Sequence, residues 1–371
     1  MKICHLTSVH QRYDTRIFLK ECRSLQKAGF DVSLIVADGK GDEIKDEIKI
    51  YDVGKPHSRL KRMLKTTKKI YQKAVEINAE IYHFHDPELI PIGLKLKRLG
   101  KKVIYDVHED VPRQILSKPY LSSIIARPLS FFFKLYEHYA VKRFSAIITV
   151  TNSVKFRLEK INPNIIIVSN YPILKELYNN VKWENRKNEI CYVGGITEIR
   201  GIKQVLKALE QTETILHLAG NFENQNLEEY CKSLPAWNKV KYYGFLNREE
   251  VKNLLSNVKI GIVTFLPVPN HIEAQPNKMF EYMSAGLAVI ASNFPLWNDI
   301  ILNNNCGITV NPTDPQAIAE AINTLLSDDT RLKQMSENAL KSVREKYNWA
   351  IEERKLINIY NRLTYEKNTD S

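Results

Sequence analysis

Short runs of apolar, β-branched residues alternate along this chain with longer stretches whose apolar positions recur every three or four residues. The alternation predicts strands at 2–7, 31–37, 80–84, 102–106, 146–150 and 165–168. Between them it predicts helices at 16–28 and 89–99, closed by Gly29 and Gly100, a basic amphipathic helix at 55–73, and a long helical region at about 120–143. Residues 170–186, rich in Asn, Lys and Glu and containing Pro172, read as a linker. The pattern then restarts with strands at 189–193, 214–219, 239–243, 258–265, 287–291 and 307–310, and with a helix at 203–210.

Two successive runs of strand-then-helix predict an α/β protein with two parallel-sheet domains of the doubly wound, Rossmann-like kind. The expected division is 1–169, a linker at 170–186, 187–348, and an amphipathic segment at 349–371 that packs back on the first domain. No internal repeat of 20–50 residues is visible.

The segment 273–292, EAQPNKMFEYMSAGLAVIAS, carries the most chemistry. A strand hands over to a loop broken by Pro267, Pro269 and Pro276. Met279, Phe280 and Met283 then recur at helical spacing, Gly286 ends the helix, and a strand follows. In such a unit the helix N-terminus opens at the carboxyl edge of the sheet, where its unpaired N–H groups attract a phosphate. Glu281, one turn in, could reach a sugar hydroxyl, and Glu273 would stand across the same pocket. Alternatively, Glu281 and Lys278 form an i,i+3 ion pair on an exposed face.

At 371 residues with 44% hydrophobic content, the chain can bury two cores. Its net charge of +12 is uneven: residues 1–186 hold 34 Lys and Arg against 20 Asp and Glu, and the remainder 20 against 22. The first half therefore faces something anionic, and an anionic membrane surface is a candidate. Nucleic acid is not expected, because no zinc-finger spacing, RNP-like aromatic motif or basic heptad region is present. The basic helix is either a solvated face or a membrane contact. The aromatic run at 131–133 with Tyr136 and Tyr139 reads most simply as helix core, with a membrane-facing role as the alternative. Five scattered cysteines without CxxC spacing suggest reduced core residues of a cytoplasmic protein. Neither a signal peptide nor a transmembrane run is expected.

The second half opens with YVGGITEIRGIKQVLKAL. Gly194 and Gly195 are either a plain structural turn or the floor of a phosphate site, with Arg200 offering a forked donor for diphosphate oxygens. Taken together, the two glutamates at 273 and 281, the glycine turn with its arginine, and the AGLAVIAS strand resemble a family-4 glycosyltransferase of GT-B architecture. HQRYDTRIFLKE, HFHDPEL and YDVHED resemble the branch serving bacterial surface-polysaccharide assembly.

The resemblance implies roles by position, across a cleft between the two domains. Glu281 would bind the ribose of a nucleotide diphosphate sugar, and Glu273 the donor sugar. The segment from Ala274 through Gln275, Pro276 and Asn277 to Lys278 would turn its N–H groups, which Pro276 alone lacks, to the diphosphate, which Arg200 would neutralise. His108 would lie against the transferred sugar, and Tyr243, Phe245 and Leu246 would form a base-binding loop. The family often has an arginine where this chain has Gly195, which leaves more to Arg200, Lys278 or Lys203. Its glycine pair after the first strand is missing too. Asp14 or Thr15 would cap the next helix instead, with His10, Asp14 and Arg16 on the acceptor side.

His83 and His85 alternate on a strand end, and His85 with Asp86 is either a capped turn or a sugar contact, placed on the acceptor side. His108 with Glu109 and Asp110 is the nearest approach to a metal cluster, but no second histidine is spaced to join it, so no metal and no cofactor are expected.

The implied activity is transfer of a hexosyl or N-acetylhexosaminyl unit, with retention of configuration, from a nucleotide sugar to a lipid-linked glycan at the inner face of the cell membrane. UDP-sugar is favoured over GDP-mannose on family frequency. A nucleotide-sugar 2-epimerase of the same fold and a non-catalytic binding subunit are the alternatives.

Overall fold

The computed structural model describes residues 1–116 and 121–365, in two compact units: Met1–Asn170 with the chain from Ile351 onward, and Tyr171–Ala350. Residue 120 of the expected helical region and residues 366–371 of the expected last segment lie outside the described residues.

The first unit holds an eight-stranded sheet of β1 (Lys2–Leu6), β2 (Asp31–Val36), β3 (Glu43–Lys45), β4 (Ile48–Asp52), β5 (Ile81–Phe84), β6 (Lys102–Val107), β7 (Ala146–Thr149) and β8 (Ile165–Ile167). The order is β3-β4-β2-β1-β5-β6-β7-β8, parallel except for β3. The β3–β4 hairpin was not foreseen. Its two-residue turn, Asp46-Glu47, has both residues at positive φ without a glycine. Strands Val32–Val36, Ile81–Phe84 and Val103–Val107 are buried throughout, as parallel strands covered on both faces must be.

The helix predicted at 16–28 forms as a wide π-helical stretch, Ile17–Cys22, running into Arg23–Lys27. The basic stretch is helical over Arg59–Lys61, Arg62–Thr66 and Thr67–Ile77. Ile90–Arg98 and Ser123–Val141 are helical as expected, and Trp349–Tyr365 buries Leu356, Ile359, Tyr360 and Leu363.

The second unit has six parallel strands, β9 (Lys187–Val193), β10 (Leu216–Ala219), β11 (Val240–Gly244), β12 (Val258–Val263), β13 (Ala288–Ser292) and β14 (Gly307–Val310), in the order β11-β10-β9-β12-β13-β14. Residues 171–186, read as a linker, are packed onto this unit. Tyr171 sits edge-on against Phe280, Leu177 is buried, and Arg186 donates to the carbonyls of Ala285 and Gly286.

In each sheet the strand order reverses once, between β1 and β5 and between β9 and β12. Loops leaving neighbouring strands there diverge to opposite faces and open a crevice at the carboxyl edge. Most of the residues of interest follow those four strands, while His108 follows β6 and the segment Tyr243–Leu246 lies at the end of β11.

Candidate functional site

In the second unit, β9 ends at Val193 and the chain turns through Gly194 and Gly195. Arg200 lies against Gly195: a Cβ there would stand 2.9 Å from the guanidinium nitrogen Nη1, which donates to the Gly195 carbonyl at 3.3 Å. Thr197 caps the short turn Glu198–Arg200 that delivers it, and the amide of Leu266 bonds the carbonyl of Ile199.

Helix Asn277–Ser284 faces the same turn. Tyr282 locks it in place, because its hydroxyl accepts the Val193 amide at 2.7 Å and its ring lies over Gly261 in β12. A Cβ at Gly261 would meet that ring at 2.2 Å, so glycine alone lets the helix approach. This seating brings Lys278, one turn before Tyr282, against Gly194, where an added Cβ would meet Lys278 Cε at 3.3 Å. The lysine nitrogen is buried, has no hydrogen-bond partner, and stands 3.7 Å from the centre of the Tyr192 ring. Burial, followed by the charge of Arg200, holds its pKa well below the ordinary lysine value. Phe265 lies between the two cations, 5.4 Å from Lys278 Nζ and 5.5 Å from Arg200 Cζ.

The loop from Phe265 to Pro276 is pinned at three points. His271 packs at a tilt against Phe265 and bonds the Leu266 carbonyl, Trp297 donates to the Ala274 carbonyl at 2.7 Å, and Tyr171 donates to Gln275. Asn277 is exposed at the helix start. Glu273 follows the short helix Pro269–Ile272 and is exposed. Glu281 is held by Arg248, 2.8 Å from its Oε1, and Arg248 also pairs with Glu176. The alternative Lys278–Glu281 pair does not form, since Lys278 turns inward.

Two other expectations need correction. Lys203 does not join the cations at the turn; it pairs with Glu198 at 2.9 Å and lies over Tyr230. Tyr243 is committed to the sheet edge, its hydroxyl 2.7 Å from His217, which in turn bonds Glu189. Of the expected base loop, Phe245 is exposed and Leu246 packs on the core.

In the first unit the loops after β1, β5 and β6 gather His10, His85, Asp86 and His108. Asp86 is buried and accepts from the Ser8 amide at 2.6 Å and the Thr7 hydroxyl at 2.8 Å. His10 bonds Asp14 at 3.2 Å and lies 3.6 Å from Asp86. Burial works against its protonation, but the carboxylates of Asp14, Asp86 and Asp106 outweigh that and raise its pKa. Asp14 also accepts the amides of Arg16 and Ile17, the capping role foreseen for it.

Arg16 is buried rather than presented to a ligand. It grips both oxygens of Asp106 at 2.9 and 3.0 Å and donates to the Val168 carbonyl. His108 bonds Asp106 at 2.8 Å and keeps one side open. His85 lies 3.3 Å from His108 and 3.0 Å from His5, and His83 bonds Tyr360. Histidines far apart in sequence therefore do gather. His5, Glu21, His83 and His85 offer ligand atoms within 4.8 Å of one another, as do His85, Asp106 and His108. The sequence argument against a metal from histidine spacing fails. A separate electrostatic fact stands: the Arg16 guanidinium already neutralises Asp106 and lies 3.0 Å from Glu21.

Sequence reasoning missed three features: the isolation of the Lys278 nitrogen, Arg248 as the holder of Glu281, and Phe265 as the platform between the cations. None has a local signal, since each depends on where a distant strand ends.

Comparison with known proteins bears on the family and the fold. The family described as Glycosyltransferase Family 4 matches residues 15–170, and Glycosyl transferases group 1 matches residues 175–342. The two matches meet at the boundary between the structural units. The "Uncharacterized glycosyltransferase MJ1607" of Methanocaldococcus jannaschii is 28% identical over 242 residues, a match spanning 58% of this chain and 59% of that protein. Sucrose-phosphate synthase from Thermosynechococcus elongatus superposes with a TM-score of 0.78 at 15% identity, over 98% of this chain and 99% of that one. HepE of Anabaena in complex with UDP and glucose gives 0.73 at 16%, over 98% and 100%.

The fold is therefore GT-B, two parallel-sheet α/β domains. The chain belongs to the group 1/family 4 superfamily of glycosyltransferases.

Proposed function

We propose that this chain transfers a hexosyl or N-acetylhexosaminyl unit from a nucleotide diphosphate sugar to a lipid-linked glycan, with retention of configuration, in bacterial surface-polysaccharide synthesis. The second unit binds the donor. The observation that carries this reading is the buried Lys278 nitrogen, without a partner, beside Arg200 at a glycine turn. An unpaired ammonium in such a place is costly unless an anion completes it. A diphosphate fits, set between these two cations and the start of helix Asn277–Ser284.

Glu281, held by Arg248, keeps its second carboxylate oxygen for the ribose, and Glu273 is assigned to the donor sugar. Phe245, exposed beyond β11, is the remaining candidate to stack on the base. UDP is the first choice, supported by the UDP and glucose bound in the HepE complex.

In the reaction the bond from the anomeric carbon to the phosphate oxygen breaks and the acceptor oxygen bonds that carbon. The acceptor proton passes to the departing phosphate, because no carboxylate is assigned here as the nucleophile of a retaining double displacement. Charge accumulating on the diphosphate is met by Arg200 and Lys278, preorganised donors of the kind that dominate such catalysis. His108, open on one side and anchored by Asp106, is assigned to the transferred sugar, and His10 with Asp14 to the acceptor. The net positive charge of residues 1–186 favours a peripheral place at the inner face of the cell membrane.

Calorimetry with UDP, GDP and dTDP tests the reading. One diphosphate should bind far more tightly than its nucleoside, and the Lys278→Met protein should lose that difference. Equal affinity for nucleoside and diphosphate would overturn it.

A further inference from the structure

We propose that helix Ser123–Val141 is a membrane-inserting element, and that its outer face docks the first unit on bilayers containing anionic lipid. The helix turns its larger apolar side chains outward. Its buried stripe is Ala126, Ser130, Glu137, Ala140 and Val141, while Ile124, Ile125, Phe132, Leu135 and Tyr139 face solvent, with Ile124 83% and Phe132 66% exposed. The buried polar groups are accommodated, since Ser130 donates to the Pro112 carbonyl and Glu137 is paired with Arg157. Among the described residues nothing covers the outward apolar face. A helix apolar on its solvent side is stable in water only when something covers it.

What covers it is argued from charge. Arg127 and Lys134 are exposed along one flank of this helix. The basic stretch 59–73 repeats the combination, with exposed Leu60, Met63 and Leu64 among Arg59, Lys61, Lys65 and Lys68. Helix Thr67–Ile77, which continues that stretch, and helix Ser123–Val141 bury their inner sides in one hydrophobic cluster, and both pack against helix Ile90–Arg98, so they lie in the same helical layer of the sheet. Lysine is depleted at protein–protein interfaces and favoured beside anionic lipid, where aromatic and aliphatic side chains enter the interface. A bilayer therefore fits this face better than a second copy of the chain. The net charge alone implied only electrostatic adhesion; the helix adds insertion.

The test is co-sedimentation of the full chain with phosphatidylethanolamine–phosphatidylglycerol vesicles and with phosphatidylcholine vesicles, alongside sedimentation without lipid. The anionic vesicles should bind the protein, and the neutral ones at least about tenfold more weakly. Phe132→Glu with Leu135→Glu should weaken binding about tenfold or more at low and high salt alike. Lys65→Glu with Lys68→Glu should remove mainly the salt-sensitive part. An unchanged circular dichroism spectrum and melting curve report that each variant is folded. Failure of the unaltered chain to bind vesicles, or indifference to the double glutamate variant, overturns the proposal. A concentration-dependent dimer that this variant dissolves, without vesicle binding, assigns the face to a second copy and also overturns it. Vesicle binding without nucleotide affinity sinks the donor reading alone.

Discussion

The side-chain nitrogen of Lys278 rests 3.7 Å above the Tyr192 ring, buried and without a hydrogen-bond acceptor. Its environment favours the uncharged amine, because burial and Arg200 both oppose protonation. The folded value lies below the unfolded 10.5, so the stability deficit is fully present below the folded value and is relieved as pH rises towards 10.5. Lys278→Met should therefore raise the melting temperature of the ligand-free protein near neutral pH while weakening diphosphate binding. Thermal unfolding with and without UDP checks both halves. A destabilised variant with normal UDP affinity would refute the assignment.

Proton uptake follows from the same geometry. A diphosphate brings negative charge to Lys278 and favours its ammonium form, so UDP binding should take up a proton wherever the free site is neutral. Calorimetry in buffers of different ionisation enthalpy measures this directly. Identical heats in all buffers would mean that Lys278 is already charged.

Arg200→Ala should lower turnover by roughly 100- to 1,000-fold, the usual cost of losing one preorganised donor to developing charge. Arg200→Lys should recover only part of this, because an ammonium does not replace the fork seated over Gly195. Near-normal turnover in the alanine variant would remove Arg200 from the reaction.

Glu281→Ala should act on donor affinity, with turnover at saturation changing little, because a ribose contact is the same in ground and transition states. The substitution also releases Arg248 from one of its two carboxylates, so Glu281→Gln is the cleaner probe. A defect confined to turnover would contradict the role.

His85 is held neutral by burial, its pKa lowered from 6.5 to about 4 despite Asp106 alongside. His5 and His83, packed against it, are displaced in the same direction, with Glu21, Arg16 and His108 around them. The unfolded histidine takes a proton first, so stability is intact above 6.5 and is lost as pH falls towards 4. For His85 alone the loss approaches about 3 kcal/mol. His10, with a raised value, contributes in the opposite sense, its stabilisation fading as pH rises through that value. Denaturant unfolding followed at pH 7, 5.5 and 4.5 tests the balance; a flat profile would refute it.

Turnover should survive a chelator. Arg16 occupies both oxygens of Asp106, the carboxylate that a divalent ion would need beside His85 and His108. Loss of activity in chelator, restored by one added metal, would instead make the histidine cluster a metal centre.

Periodicity revealed the strand–helix alternation because all strands but β3 are parallel and the central ones are buried, and such strands write continuous apolar runs. It did not reveal the β3–β4 hairpin, whose turn is Asp46-Glu47 rather than a glycine or asparagine pair. Residues 171–186 looked like a linker because Tyr171, Leu177 and Arg186 are sparse anchors in a polar context. The glycine turn, Arg200, Glu273 and Glu281 were legible as a motif. The environment of Lys278 was not, since it is made by Tyr192, Phe265 and Gly194 from three other positions in the chain. Helix Ser123–Val141 misled for a further reason. Its apolar residues run nearly all the way round, so spacing could not separate core from surface.

The last helix has a consequence for biosynthesis. Glu352 accepts the Ser169 amide, and Tyr360 closes over His5 and His83. Residues 1–170 thus leave the ribosome with their histidine layer still uncovered, and stay so while the whole of 171–350 is made. The first unit is thus completed only after the second has been made, and a nascent chain stalled before residue 360 would offer chaperones and proteases an unsealed first sheet.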